Sequence, residues 1–207
     1  MKRIILVFIL VTTLFQLSCE KQDDAIPIFS LDQADQLQAD EYEVYKVILE
    51  KYDIPQLIIR QKSTTLTPPK ENHALFFNLD RMSDMEATLY DRYVEANNKA
   101  YLLDEKIAVP GRAIKLMSDK EYAYYFDRED LYKGWELFER KYPEAQRWFF
   151  RFNKIGFNES RTQAIVGLEV NWFMDTPDGP TLSYGSLVYL EKKYDVWEHV
   201  GSTNYPL

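Results

Sequence analysis

The chain has 207 residues, of which 46% are hydrophobic and 15% aromatic, enough to bury a sizeable core in one domain or at most two. Disorder along the whole length is thereby excluded. With 33 acidic against 25 basic side chains, and Lys192-Lys193 among scattered basic residues, the chain offers no clustered positive face, so no nucleic-acid partner is expected.

The N-terminus reads as an export signal. Lys2-Arg3 is followed by an apolar run from Ile4 to Phe15, broken by Thr12 and Thr13, and then by Leu17-Ser18-Cys19. The run is too short to span a bilayer by itself. One reading is a cleaved signal with an incidental cysteine. The other is lipid attachment at Cys19, because Leu17-Ser18-Cys19 resembles the end of a bacterial lipobox, although Gln16 departs from the apolar residue usual there. Cys19 is the only cysteine, so it makes no disulfide within the chain, which favours lipidation. The expectation is a signal peptide over 1–18 and a palmitate-type lipoprotein anchor at Cys19, with the membrane as partner. From Glu20 to Asp40 the chain is rich in Asp and Gln, and 19–39 reads as a flexible acidic tether. Acidic residues just after such a cysteine resemble the tags that carry some Gram-negative lipoproteins to the surface. The expected location is the cell envelope of a Gram-negative bacterium, on the periplasmic side of the outer membrane or on the cell surface.

Residues 40–207 are expected to form a single α+β domain. Asp40 with Glu43 suggests a helix cap, and Val44, Tyr45, Ile48, Leu49 and Tyr52 recur at helical spacing, giving a helix over about 41 to 52 before Asp53 and Pro55. Leu57-Ile58-Ile59 and Ser63 to Leu66 favour a strand, ended by Pro68-Pro69. Ala74 to Leu79 is a short apolar run of either type. Ser83-Asp84-Met85-Glu86 is a capping box ahead of an apolar stripe through Met85, Leu89, Tyr90, Tyr93 and Val94. Ala113 to Met117 reads as a strand, Ser118 opens a short helix carrying Tyr122, Tyr124 and Tyr125, and Asp130 to Lys141 is helical around Trp135, Leu137 and Phe138 until Pro143.

From Trp148 onward the chain alternates. Ala164, Val166, Leu168, Val170 and Trp172 fall on one face and Ile165, Gly167, Glu169 and Asn171 on the other, the period of a half-buried strand. Breaks at 158–162, 175–180 and 193–195 separate this strand from Trp148 to Phe157 before it and from Leu182 to Leu190 and Val196 to Val200 after it. The expectation is N-terminal helices and short strands packed on a C-terminal antiparallel β-meander of about four strands.

Gly134-Trp135, Phe138, Lys141-Tyr142-Pro143, Ile155-Gly156-Phe157-Asn158, Thr162-Gln163-Ala164, Leu190-Glu191-Lys192 and Trp197 resemble a family of uncharacterised exported bacterial (lipo)proteins, over about residues 113 to 200. The resemblance implies a shared fold and no known activity. Where that family carries Ser-Arg, this chain has Asn153-Lys154.

No Gly-x-Ser-x-Gly, P-loop or GxGxxG is present, so no cofactor is expected. His73 and His199 lie far apart with no metal-ligand spacing, so no metal is expected either. His199, beside Glu198, and His73 are weak catalytic candidates. Asp175-Thr176-Pro177-Asp178-Gly179 has oxygen ligands but no EF-hand frame, and suits a hairpin turn better. Arg151, Asn153, Glu169 and Asn171 share one parity and project from one sheet face. Glu169 with Arg151 is the constellation worth weighing for acid–base work, and Asn153, Lys154 and Asn171 are the candidates for binding. The plainer alternative is a solvent-facing side with a cross-strand Arg-Glu pair. The fifteen tyrosines and four tryptophans suit a glycan or peptide groove as well as core packing. Three functions stay open: a tethered binding module with an envelope protein or glycan as partner, an envelope hydrolase or lyase using Glu169, and a structural or assembly lipoprotein.

Overall fold

The computed structural model describes residues 25–67, 84–176 and 179–206. The expected export signal, Cys19, His73, the apolar run 74–79 and Pro177-Asp178 lie outside them. Among the described residues no helix is long and apolar enough to cross a membrane.

The chain is of the α+β class. Helix α1 is Ala39–Leu49, strand β1 Gln56–Arg60, helix α2 Leu89–Ala96, strand β2 Ala113–Met117, helix α3 Asp119–Phe126 and helix α4 Leu131–Lys141. A 3-10 turn at Pro143–Ala145 leads into β3 Trp148–Phe152, β4 Gly156–Phe157, β5 Gln163–Thr176, β6 Gly179–Lys193 and β7 Val196–Pro206. All seven strands form one sheet in the order β2-β1-β3-β5-β6-β7, with β4 pairing β5 beyond the end of β3. The C-terminal antiparallel meander is present. β1 and β2, expected as short strands packed on the meander, extend it: β1 runs parallel to both β2 and β3, which makes the sheet mixed.

Local chemistry accounts for most boundaries. Ser118 Oγ accepts from the backbone N–H of Glu121 and Asp130 Oδ1 from that of Lys133, so α3 and α4 start at side-chain caps. Pro143 stops α4. Helix α1 begins earlier than expected, at Ala39, with Gln38 as its N-cap, whose N–H donates to Glu41 Oε2 at 2.8 Å. Asp40 turns away to Arg161 instead. α1 ends at Leu49, where the Arg112 guanidinium donates to the Leu49 carbonyl at 2.9 Å and closes the helix before Tyr52. α2 is shorter than its sequence pattern: Thr88 is its N-cap, while Glu86 is used elsewhere, accepting from Asn158 Nδ2 at 2.7 Å. Residues 63–66 do not continue β1. Ser63 N–H donates to the Tyr101 carbonyl and Thr64 N–H to that of Phe152, carrying the chain across the sheet end. The expected strand over Trp148 to Phe157 divides at 153–155 into β3 and β4. Before α1, the segment read as tether already touches the domain: Asp32 and Asp35 N–H donate to Gln61 Oε1 and the Leu102 carbonyl, and Leu37 is buried.

Both sheet faces are covered. On one, α1 lays Val44, Tyr45, Ile48 and Leu49 on Leu57, Ile59, Phe150, Phe152, Val166, Leu168 and Val170 as one apolar cluster. On the other, two separate clusters form. α3 and α4 pack Tyr125, Trp135, Leu137 and Phe138 on Ile58, Met117 and Phe149, while α2 packs Leu89, Tyr90 and Tyr93 on Ile165, Leu187 and Tyr189. The second cluster needs two glycines. A Cβ on Gly156 would lie 2.3 Å from the Tyr93 Cα, and one on Gly167 would lie 1.8 Å from Asn153 Oδ1. Glycine there is what lets α2 and its tyrosine approach the strands.

Candidate binding cavity on the divided face

Between the two clusters the sheet face is polar. Arg151 stands opposite Glu169 in the β3–β5 ladder and Asn171 opposite Ser183 in the β5–β6 ladder, which puts four polar side chains on adjacent strands of one face. Arg151 Nη1 and Glu169 Oε2 are 2.8 Å apart, and Ser183 Oγ donates to Asn171 Oδ1 at 2.7 Å. The expectation of a solvent-facing side with a cross-strand pair is half corrected. The pair exists, but Glu169 is only 2% exposed, because α2, α3 and α4 cover this face.

These residues floor a cavity of about 440 Å³ whose lining also takes Tyr122, Phe126 and Leu131 from α3 and the start of α4, Phe149 from β3, Thr181 from β6, and Thr64 and Leu66 from the segment after β1. Neighbouring side chains hold the walls. The Arg60 guanidinium lies 3.9 Å from the Tyr122 ring centroid and bonds Asp119, Phe126 stacks on Phe149 at 4.7 Å, and Trp135 Nε1 donates to Thr181 Oγ1 at 2.8 Å.

Two nitrogens in this lining are uncompensated. Asn171 Nδ2 and Arg151 Nε are both buried and have no hydrogen-bond partner among the described residues. A buried donor left unpaired costs about 1–3 kcal/mol, and both of these belong to residues that line the cavity.

The charge on Glu169 reaches its neighbours. Burial above all, then Tyr205, Tyr90 and Glu169, push the Tyr93 hydroxyl well above its ordinary value; burial and then Glu169 also raise Tyr205, with Arg151 opposing. Tyr93 therefore stays protonated and donates to Asn153 Oδ1 at 3.0 Å.

The remaining candidates sit elsewhere. Asn153 is fully buried, and its Nδ2 donates to the carbonyls of Thr64 (2.8 Å) and Leu66 (3.1 Å). With Tyr93 on its oxygen, it fastens the cavity rim to the sheet and does not face a ligand. Lys154 lies over the Tyr101 ring at 5.2 Å, in a different depression beside Glu41 and Lys99. His199 is on β7 opposite Leu190 and does not line the cavity. Among the described residues no group of three His, Cys, Asp or Glu side chains could hold a metal ion. Trp135 and Tyr142, which anchor the family-like stretch, are buried in the α3–α4 cluster, and both Tyr142 and Tyr125 donate to the buried carboxylate of Glu121.

Sequence reading did not find Ser183, Thr181, Tyr122 or Phe126. Ser183 had a signal: continuing the parity of Glu169 and Asn171 through the hairpin reaches it. The α3 wall had none, since only tertiary packing brings that helix over the floor. No family model, curated protein or solved structure matches the chain.

Proposed function

We propose that the chain is a membrane-tethered envelope lipoprotein whose domain is a binding module, with its ligand in the cavity floored by Arg151, Glu169 and Asn171. The observation that carries this reading is the pair of unpaired buried donors, Asn171 Nδ2 and Arg151 Nε, in the lining of a cavity of about 440 Å³. That volume is within the usual range for small-molecule sites, about 300–1,000 Å³. A ligand with acceptor oxygens would satisfy both donors and recover the cost of leaving them dry.

Catalysis by Glu169 as hydrolase or lyase ranks second. Its carboxylate is already engaged by Arg151, and beyond that pair Tyr122 is the remaining titratable group in the described lining, whereas acid–base hydrolysis calls for two groups of separated pKa within reach of the substrate. A structural or assembly role ranks below both, because it gives the cavity no purpose. The anchor rests on Lys2-Arg3, the apolar run and Leu17-Ser18-Cys19, and it places the domain at the outer membrane of a Gram-negative bacterium, on either side.

Two measurements test this. In cells fed a clickable fatty acid, wild type takes label and Cys19→Ala does not; equal labelling of both removes the anchor. In thermal melts, a small-molecule filtrate of envelope extract raises the Tm of wild type by mass action and leaves Asn171→Ala unmoved. A wild-type Tm that no filtrate shifts removes the binding reading.

A further inference from the structure

We propose that the cavity takes a neutral, polyhydroxylated ligand, a saccharide unit, which lies with its ring against Tyr122 and Phe126 and its hydroxyls on Arg151, Glu169 and Asn171. The proposal rests on the binding reading above and names its ligand class.

Charge is the first argument. Arg151 and Glu169 are the formally charged side chains of the described lining, and at 2.8 Å they neutralise one another. An anion bound to the free Arg151 Nε would still sit beside the Glu169 carboxylate, and a cation drawn to Glu169 would sit beside the guanidinium, so each meets a like charge. A zwitterion that paired fully with both groups would have to prise the ion pair apart, and breaking a buried pair is strongly unfavourable. A hydroxyl group does neither. It accepts from Asn171 Nδ2 or Arg151 Nε, both without a partner, and donates to a carboxylate, while the ion pair stays closed.

Layout is the second argument. Arg151, Glu169 and Asn171 project from one face of two paired strands, so their backbone positions are spaced by the strand separation of about 4.8 Å and the two-residue repeat of about 6.7 Å, and the ends of Arg151 and Glu169 converge to 2.8 Å. Hydroxyls around one sugar ring offer polar atoms on that scale. The rest of the lining includes aromatic rings, with Tyr122 over the neighbouring guanidinium groups of Arg60 at 3.9 Å and Arg151 at 6.0 Å and with Phe126 stacked on Phe149. Flat amphipathic rings suit the C–H face of a sugar, and a lining of aromatic rings beside polar side chains matches a molecule with one apolar and one hydroxylated side.

The test follows the Asn171 side-chain amide by nitrogen–proton NMR in the purified full-length protein. The probes are methyl glucoside, methyl galactoside and N-acetylglucosamine on one side, and glycine, free glutamate, free lysine and a neutral tripeptide on the other. At least one sugar is expected to shift the amide saturably, with an affinity changing less than about twofold between about 20 and 500 mM salt, because no net charge is screened. Ser183→Ala, followed on the same amide, and Asn171→Ala, followed by titration calorimetry, both keep every buried charge in place and should each weaken that affinity, the second by about tenfold or more, equivalent to 1.4 kcal/mol. A response to amino acids or the tripeptide with none to sugars overturns the saccharide assignment and leaves the binding cavity standing. An amide unmoved by the whole panel overturns the assignment too, and if envelope filtrates also leave the Tm unchanged, the binding reading falls with it.

Discussion

The two faces of β5 come from the same stretch of chain, and both are buried, yet they are built on opposite rules. On the α1 side, Ala164, Val166, Leu168 and Val170 join a single apolar cluster with the facing side chains of β1, β3 and β6. On the other side, Ile165 belongs to one cluster and Phe149, across the ladder, to another, and Glu169 and Asn171 lie in the gap. Burying Glu169 against Arg151 requires desolvating both, and apolar residues of similar size in such places are often neutral or stabilising. A sheet that needed only to be covered would have continued the apolar pattern. The divided face thus separates what holds the domain together from the polar seam proposed as the binding site.

The largest effects should come from the purely apolar regions. Trp135 is fully buried in the α3–α4 cluster, and Trp135→Ala should cost about 3–5 kcal/mol, a large share of the about 5–15 kcal/mol that a domain has. Leu168→Ala, on the α1 side, should cost about 2–5 kcal/mol. Denaturant melts measure both. If Leu168→Ala melts like wild type, the α1 face is not the folding core. A Trp135→Ala variant that keeps its Tm and loses only ligand would make Trp135 a binding aromatic and dissolve the distinction drawn here.

The ion pair sharpens the comparison at intermediate magnitude. Glu169→Gln and Arg151→Met each strand a partner, and buried pairs broken this way cost about 3–5 kcal/mol. Arg151 keeps 26% of its side chain exposed, so the expected losses fall somewhat below that range. The double variant, Arg151→Met with Glu169→Leu, should recover most of the loss or exceed wild type, and it should bind no ligand. A double variant as unstable as the sum of the singles would mean that the pair is needed for folding, and the polar seam would then belong to the structural side of the comparison.

How far the sequence foretold these regions follows the same division. The α1-covered face was readable because period-two alternation in β5 and helical spacing in α1 each point to burial from short stretches of chain. Ser118, Asp130 and Pro143 marked their boundaries through chemistry confined to a few residues. Parity alone brought Arg151, Glu169 and Asn171 to one face. It could not show that α2 and α3 flank them, that Thr64 and Leu66 form the rim, or that β1 and β2 join the sheet in parallel, since those depend on contacts between distant segments with no local signature. The family-like positions also turn out to be scaffold. Gly156 admits α2, Trp135 and Phe138 fill a core, and Asn158 Oδ1 accepts from the N–H groups of Thr162 and Gln163 to build the turn before β5. That pattern describes how the domain is made and leaves out the cavity.

The smallest expected effect lies at the turn that joins the two sides. Arg161, in a left-handed conformation at φ 52°, stacks over Phe157 and forks onto Asp40 at the start of α1, with Nε to Oδ2 at 2.6 Å and Nη2 to Oδ1 at 2.7 Å. Burial opposes ionisation of Asp40, but the hydrogen bonds and charge of Arg161 outweigh it and hold the carboxyl below its ordinary value of 3.8. A carboxyl whose folded pKa is depressed contributes stability that is fully present above the unfolded pKa and is lost as pH falls through the folded one. Arg161 stays charged throughout, so only Asp40 titrates. Wild type should therefore exceed Asp40→Asn by a constant margin above about pH 5, of order 1 kcal/mol or less for a partly exposed pair, and the margin should close at lower pH. Tm measured against pH for both proteins decides this. A margin that does not shrink at all between about pH 5 and about pH 2 would show that Asp40 acts through packing at the α1 terminus and that the bridge between the α1 face and the β4–β5 turn is not electrostatic.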